Sequence, residues 1–420
     1  MSLANNVEFL QRLQKLNGLN GLGGFGASQG VPSPLVETTG FGTNPGALRM
    51  LSFVPEHLQP TAALVVVLHG CGQTAAGYDL GTGWSMLAKH YGFALLMPEQ
   101  QASNNANTCF NWFNPEDTTR DQGEACSIRQ MIARMAGDHK IDSSQIYITG
   151  LSAGGAMTSV MLATYPELFA GGAVIAGLPF GVATNVREAL NGMFQSSSRP
   201  AGELGDLVRS ASHHKGPWPK ISVWHGSADR TVNPANANEI VKQWLDVHHL
   251  PSTPMSEGMV DGYPRQIWWN ADGETLVESY TITDMAHGTP LGTADNDEQY
   301  GAQGAFLIEA GISSSYHIAN FFGLTEWIRQ PKEAAREAAK ETVKETVKTV
   351  SAGVAKQAAT IIPAIGPAPA MVPDLAKVLW PRTTLNRPSE PPRQPRDPRR
   401  RAIDVGAVIT RALTAAGLMK

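Results

Sequence analysis

Cysteine is scarce in this chain, with three residues in 420. That is too few for a disulfide scaffold, and none stands in the paired Cys-x-x-Cys spacing of a structural zinc site. Charge of one sign is also missing. The 33 Lys and Arg against 37 Asp and Glu leave a formal charge of −4. Such a balance gives no global attraction to nucleic acid or to an anionic membrane, and nucleic acid is not expected as a partner. No uninterrupted apolar run approaches the roughly 18 residues of a transmembrane helix. The opening segment, MSLANNVEFLQRLQKLNGLN, sets leucines at helical spacing but breaks them with Glu, Gln, Arg and Lys. It lacks the continuous apolar stretch and small-residue cleavage site of a secretory signal, so the chain reads as soluble with no ordinary export signal. What is present is a 42% hydrophobic share, enough for a packed core and too much for wholesale disorder.

Composition divides the chain into segments. Residues 1–45 begin with a weak amphipathic helical pattern and pass into a Gly-rich run, NGLNGLGGFGASQG, which reads as a flexible lead-in. Residues 46–330 alternate strand and helix signals. TAALVVVLHG (61–70) and FALLMPEQ (93–100, ended by Pro98) are continuous apolar runs of the kind buried on both faces of a sheet. IRQMIARMAGDH (128–139) is an amphipathic helix. QIYITG (145–150) is a short strand followed by a helical pattern to Tyr165. GAVIAG (172–177) and PKISVWHG (219–226) are further buried strands, and QIWWN with TLVESYTIT (266–283) forms an antiparallel hairpin. Strands separated by helices of about a dozen residues predict a doubly wound, mostly parallel α/β sheet. Residues 331–360 change to a charged Ala/Glu/Lys helix, 361–401 to a Pro/Arg-rich linker, and 402–420 to a short amphipathic helix.

The strongest chemical signal is GLSAGG, residues 150–155, between a strand and a helix. On such a turn, Gly-x-Ser-x-Gly becomes a nucleophile elbow: Ser152 projects its hydroxyl, and the glycines leave room where Cβ atoms would collide. A nucleophilic serine needs a base, and the base an orienting acid, in the chain order Ser, Asp or Glu, His. Asp229 lies just past the buried strand ISVW, where catalytic groups collect at the carboxyl ends of parallel strands. Asp206, Asp246, Asp261 and Asp272 fall in helical or hairpin contexts and fit less well. His287, in the loop DMAHGTP, is the best base, with His213, His214, His248, His249 and His317 set aside as surface or packing histidines. The oxyanion hole is expected from the backbone N–H of Ala153 and one from the loop LHGCGQTAAG, with Cys71 as second donor. A competing reading makes Cys71 itself a nucleophile, but no elbow surrounds it.

Five motifs in order, LHGCGQTAAGYD, MPEQ followed by CFNWF, GLSAGGAMT with YPELFAGGAVIAG, WHGSADRTV and AHGTP, resemble the polyhydroxybutyrate depolymerase-type esterases. These α/β-hydrolases are similar to feruloyl and acetylxylan esterases, and the resemblance spans residues 46–328. It implies Ser152 as nucleophile, Asp229 as orienting acid, His287 as base, Cys71 and Ala153 as oxyanion-hole amides, and no metal or cofactor. It also implies a Cys71–Cys109 disulfide, leaving Cys126 single. Family members are typically secreted, so an extracellular location is implied, with a cytoplasmic one as the alternative because no signal is visible. Polymer-degrading members carry a separate binding domain. Here the corresponding place holds the helix, linker and terminal helix of 331–420, which could contact a polymer surface or granule. The expected function is serine carboxylester hydrolysis, on hydroxybutyrate polymers or oligomers. The alternatives are a feruloyl or acetylxylan esterase and, in another class, a non-catalytic binding or scaffold protein on a hydrolase fold.

Overall fold

The computed structural model describes residues 33–325, apart from 57, 59, 60 and 197. The segments expected as a charged helix (331–360), a Pro/Arg-rich linker (361–401) and a terminal helix (402–420) lie outside the described residues, as do residues 1–32.

Apolar β-branched runs that cannot face water on either side must be covered twice, and this dictates the layers. β3 (Leu64–Leu68), the run LVVVL, is wholly buried. Leu64, Val66 and Leu68 enter one core, and Val65 and Val67 enter the other. The period of two therefore survives in the packing even though the run looks uniform in sequence. Among the described residues β3 joins nine other strands in one sheet. These are β1 (Val36–Thr38), β2 (Arg49–Phe53), β4 (Ala94–Glu99), β5 (Ile146–Leu151), β6 (Gly171–Ile175), β7 (Lys220–Gly226), β8 (Ser256–Val260), β9 (Tyr263–Trp269) and β10 (Thr275–Ile282).

The spatial order is β1-β2-β4-β3-β5-β6-β7-β10-β9-β8. From β4 through β10 neighbours run parallel, and the two outermost strands on each side run antiparallel. One face carries the helices Gly123–His139, Ala153–Thr164 and Ala235–Val247. The other carries Ala75–Thr82, Trp84–Tyr91 and Ser314–Phe322. This is the doubly wound α/β-hydrolase architecture.

Three expectations change in detail. Pro98 does not end its strand. β4 pairs with parallel β3 only as far as Leu96, while Pro98 lies opposite Met50 of antiparallel β2. Its missing N–H falls beyond the parallel ladder, where a proline is tolerated. The helix expected over 128–139 begins at Gly123, because the buried Glu124 and Ser127 interrupt the apolar periodicity that marks a helix in sequence. The lead-in assigned to 1–45 already enters the sheet at β1, whose Glu37 pairs with Arg49 of β2 at 2.6 Å. A three-residue edge strand carries no periodic signal of its own.

Leu64 is fully buried at the amino end of β3, away from the strand ends that carry the candidate site. Leu64→Ala should lower unfolding free energy by about 2–5 kcal/mol. Turnover per folded molecule should stay unchanged, as checked by urea denaturation and active-site titration.

Candidate active site

β5 stops at Leu151, and the next residue, Ser152, turns the chain with φ 57° and ψ −116° before the helix Ala153–Thr164 begins. This left-handed backbone is costly for a serine and persists because its surroundings hold it. The Ser152 N–H donates to Ile175 O of β6 at 2.9 Å. The flanking glycines permit the crossing. A Cβ on Gly150 would lie 2.4 Å from Gly154 O, and one on Gly154 would lie 2.5 Å from the carbonyl oxygens of both Leu68 and His69. The helix start thus packs directly against the end of β3, and Ser152 is left half-buried at the top of the sheet.

β7 and β10 are parallel neighbours whose register ends with Gly226 opposite Ile282. Asp229 follows the first strand end and His287 the second, so adjacent strands deliver both side chains to one place. The loops are stitched together: Ser227 N–H donates to Ile282 O at 2.9 Å, and Ala228 N–H to Met285 O at 3.0 Å. A Cβ on Gly226 would lie 2.3 Å from Met285 O, so the histidine loop passes over a position open only to glycine. His287 Nδ1–H donates to Asp229 Oδ2 at 2.7 Å, leaving Nε2 as the nitrogen for a proton. Both side chains are buried.

The other oxygen of Asp229, Oδ1, accepts the N–H groups of Thr231 and Val232 at 2.8 and 2.9 Å. Burial disfavours the charged form, but hydrogen bonds from His225 and His287 outweigh it and hold this carboxyl well below the usual carboxylate range. His225 was not singled out from the sequence. Its place at the strand end, four residues before Asp229, was the available signal.

The loop after β3 presents a selected set of amides. Gly70 N–H donates to Gln73 Oε1 at 2.8 Å, and Gly72 N–H to Asn107 O at 2.8 Å. Between them, the Cys71 N–H has no acceptor among the described residues, and neither has that of Ala153, the first residue of the elbow helix. Ala153 directly follows Ser152, and Cys71 lies in the loop whose first residues, His69 and Gly70, pack against Gly154 and Leu151 of the elbow. Gln73, also missed in sequence, reaches across with Nε2 to Ala305 O at 3.2 Å, next to Phe306, whose ring stands edge-on to His287 at 5.8 Å.

Cys71 is joined to Cys109, and Cys126 is free and buried. The disulfide ties the Cys71 loop to the segment 100–114, which is held by a wholly buried carboxylate. Glu124 accepts from Gln100 Nε2 at 2.6 Å, from Asn111 N–H at 2.8 Å and from Asn111 Nδ2 at 2.7 Å. Burial and the nearby Asp117 charge push its carboxyl up to about 8, against the pull of the hydrogen bonds from Asn111 and Gln100. His69 is spent structurally: Nε2 accepts Gln100 N–H at 3.1 Å and Nδ1–H donates to Gly70 O at 2.8 Å.

The residues set aside in sequence stay away from this centre. Asp206 and Asp246 both bind Arg209, at 2.8 and 2.6 Å. His214 and His248 bond the carbonyls of Pro217 and Pro219, and Asp272 lies in the β9–β10 turn. Asp261, Asp295 and His317 form a group of potential metal ligands within 4.8 Å of one another. His317 Nε2 already donates to Asp261 Oδ2 at 2.8 Å. A 430 Å³ cavity lined by Lys220, Arg265, Glu278 and His317 opens at the start of β7, the end opposite Asp229.

A family model described as esterase PHB depolymerase matches residues 51–253. The poly(3-hydroxyalkanoate) depolymerase C of Paucimonas lemoignei is 48% identical over 291 residues, covering 69% of this chain and 70% of that protein. Feruloyl esterase B of Thermothelomyces thermophilus is 34% identical over 250 residues, covering 58% of this chain and 84% of the relative. Among solved structures, an acetyl xylan esterase from Aspergillus awamori superposes with a TM-score of 0.56 at 27% identity, covering 60% of this chain and 93% of that one.

Thiol titration tests the bridge that holds the Cys71 loop. Denatured, unreduced protein should show a single reactive thiol, Cys126, and native protein should react slowly because that side chain is buried. Three thiols in the unreduced sample would contradict the bridge.

Proposed function

The chain belongs to the PHB depolymerase family of esterases and is a carboxylic ester hydrolase; from that premise we propose that Ser152, His287 and Asp229 form its catalytic triad. The observation that carries this reading is the 2.7 Å pair of His287 Nδ1 and Asp229 Oδ2, set after the ends of neighbouring parallel strands in the same sheet whose β5 ends in the strained Ser152 turn. In the mechanism, His287 Nε2 takes the Ser152 proton as Oγ attacks the ester carbonyl. The N–H groups of Cys71 and Ala153 hold the oxyanion that develops. His287 then returns the proton to the departing alcohol, leaving an acyl-Ser152. Water, deprotonated by the same nitrogen, cleaves the acyl-enzyme. Asp229 stays ionised throughout, holding the imidazole in the Nδ1–H tautomer and stabilising the imidazolium.

We further propose hydroxyalkanoate polyesters or their oligomers as substrates, supported by the 48% identity to a poly(3-hydroxyalkanoate) depolymerase. A second reading, hydrolysis of acetyl or feruloyl esters of plant cell walls, draws on the likeness to acetylxylan and feruloyl esterases. An oxidising, extracellular setting is part of the proposal, supported by the Cys71–Cys109 bond. Surface contact through residues 331–420 is proposed from their composition alone. A chain ending at residue 330 should keep its turnover of p-nitrophenyl butyrate and bind polyester particles more weakly.

A fluorophosphonate probe should label the wild-type protein and not Ser152→Ala. That variant should lose on the order of 10⁶-fold in kcat, and Asp229→Asn about 10⁴-fold, with folding retained. Product analysis on hydroxybutyrate oligomers, methyl ferulate and acetylated xylan then assigns the substrate. Faster turnover of either plant ester than of the oligomers would overturn the polyester assignment.

A further inference from the structure

Two imidazoles, not one, meet the Asp229 carboxylate. His225 is the penultimate residue of β7, 3% exposed, and its Nε2 lies 3.2 Å from Asp229 Oδ2 and 3.0 Å from Val232 O. We propose that His225 is a positioning residue of this hydrolytic site. Its Nε2–H holds Oδ2 of Asp229 toward His287 and limits how much of the carboxylate's charge His287 receives. The inference rests on the reading of Ser152, His287 and Asp229 as the triad.

The tautomer follows from the partners. A carbonyl oxygen can only accept, and so can an ionised carboxylate, so the nitrogen facing both must carry the hydrogen. Nδ1 is then bare, and it is buried without a partner among the described residues. The opposite tautomer would set a lone pair against two acceptors and bury an N–H with nothing to receive it, which costs free energy on both sides. His225 is therefore locked as a donor. It cannot exchange roles with His287, whose Nδ1–H is spent on the same carboxylate and whose Nε2 is left for chemistry.

The geometry also shows what the donor accomplishes. Oδ1 is fixed by the amides of Thr231 and Val232. Without His225, Oδ2 would be held by the moving partner alone, the imidazole that must charge and discharge in each turnover. By reaching from the end of β7 to Val232 O, His225 also clasps the loop that carries Asp229. A neutral donor suits this place. Lys or Arg would put a permanent charge beside Asp229 and oppose formation of the His287 imidazolium. Among the described residues, the titratable side chains shown bonded to this carboxylate are the two imidazoles, His225 and His287.

Two substitutions separate positioning from packing. His225→Leu keeps apolar bulk and removes the donor, while His225→Gln keeps an amide N–H at about the reach of Nε2. With p-nitrophenyl butyrate, His225→Leu should lower kcat by about 10- to 100-fold, the scale of a misplaced catalytic group, with KM nearly unchanged. Its acid limb in kcat/KM should move to higher pH, because Asp229 without that donor exerts more of its charge on the His287 imidazolium. His225→Gln should restore most of kcat and return the limb. A wild-type profile in His225→Leu would overturn the proposal, as would a loss that follows the drop in Tm and is not recovered in His225→Gln. Should His225→Leu not fold, histidine ¹⁵N NMR of the wild-type protein decides. His225 should stay in the Nε2–H form across the range in which His287 titrates, and the Nδ1–H form or a parallel titration would refute it. Activity retained in Ser152→Ala or Asp229→Asn would instead sink the triad itself, a separate result.

Discussion

The Asp229 carboxylate is a buried charge that this fold can keep only by surrounding it with donors. An ionised carboxyl taken out of water costs several kcal/mol unless hydrogen bonds replace its hydration. Four do so here: two amides of its own loop, one imidazole from the end of β7 and one from the loop after β10. Much of the local architecture follows from meeting that requirement. The loops after β7 and β10 must lie side by side, which needs these strands adjacent and in parallel register. Gly226 must lack a side chain so that the His287 loop can cross it.

The serine elbow is under a different constraint, that of close backbone approach. Gly150, Gly154 and the carbonyls of Leu68 and His69 pack so tightly that no Cβ fits between them. This contact sets the helix start against the end of β3, and with it the Ala153 amide beside the loop that offers the Cys71 amide. The loop is anchored in turn by the disulfide to Cys109 and by the Glu124 hydrogen bonds behind it. Donors that face a developing negative charge are useful only if they do not reorganise. Here the neighbouring amides of Gly70 and Gly72 are already engaged, so the loop has little freedom to rotate.

Much of this was legible in the chain itself. Largely apolar runs closed by Gly marked β3, β5, β6 and β7, because a strand covered on both faces has few polar positions. The places of Ser152, Asp229 and His287 at strand ends were legible because the elbow motif is local and because position after a strand end is a linear property. Less legible were β1, the first turn of the helix Gly123–His139, and the role of His225. The first two depend on partners a dozen or more residues away, Arg49 for β1 and Asn111 and Gln100 for Glu124, and His225 depends on how the short loop after β7 folds back to bring Asp229 and Val232 to its ring.

Sequence alone thus determined the layered α/β architecture, the serine elbow and the strand ends after which Asp229 and His287 stand, since these follow from periodicity, glycine placement and chain order. Only the tertiary structure decided which ring nitrogen of His225 and of His287 faces an acceptor, which amides near the elbow are unclaimed, and that one carboxylate oxygen serves two imidazoles. Hydrogen-bond roles are settled by whatever acceptor or donor stands opposite. For His287 the group opposite comes from the end of a different strand, which it meets only when the sheet is assembled, and for His225 from the loop after its own strand, which must fold back to reach it.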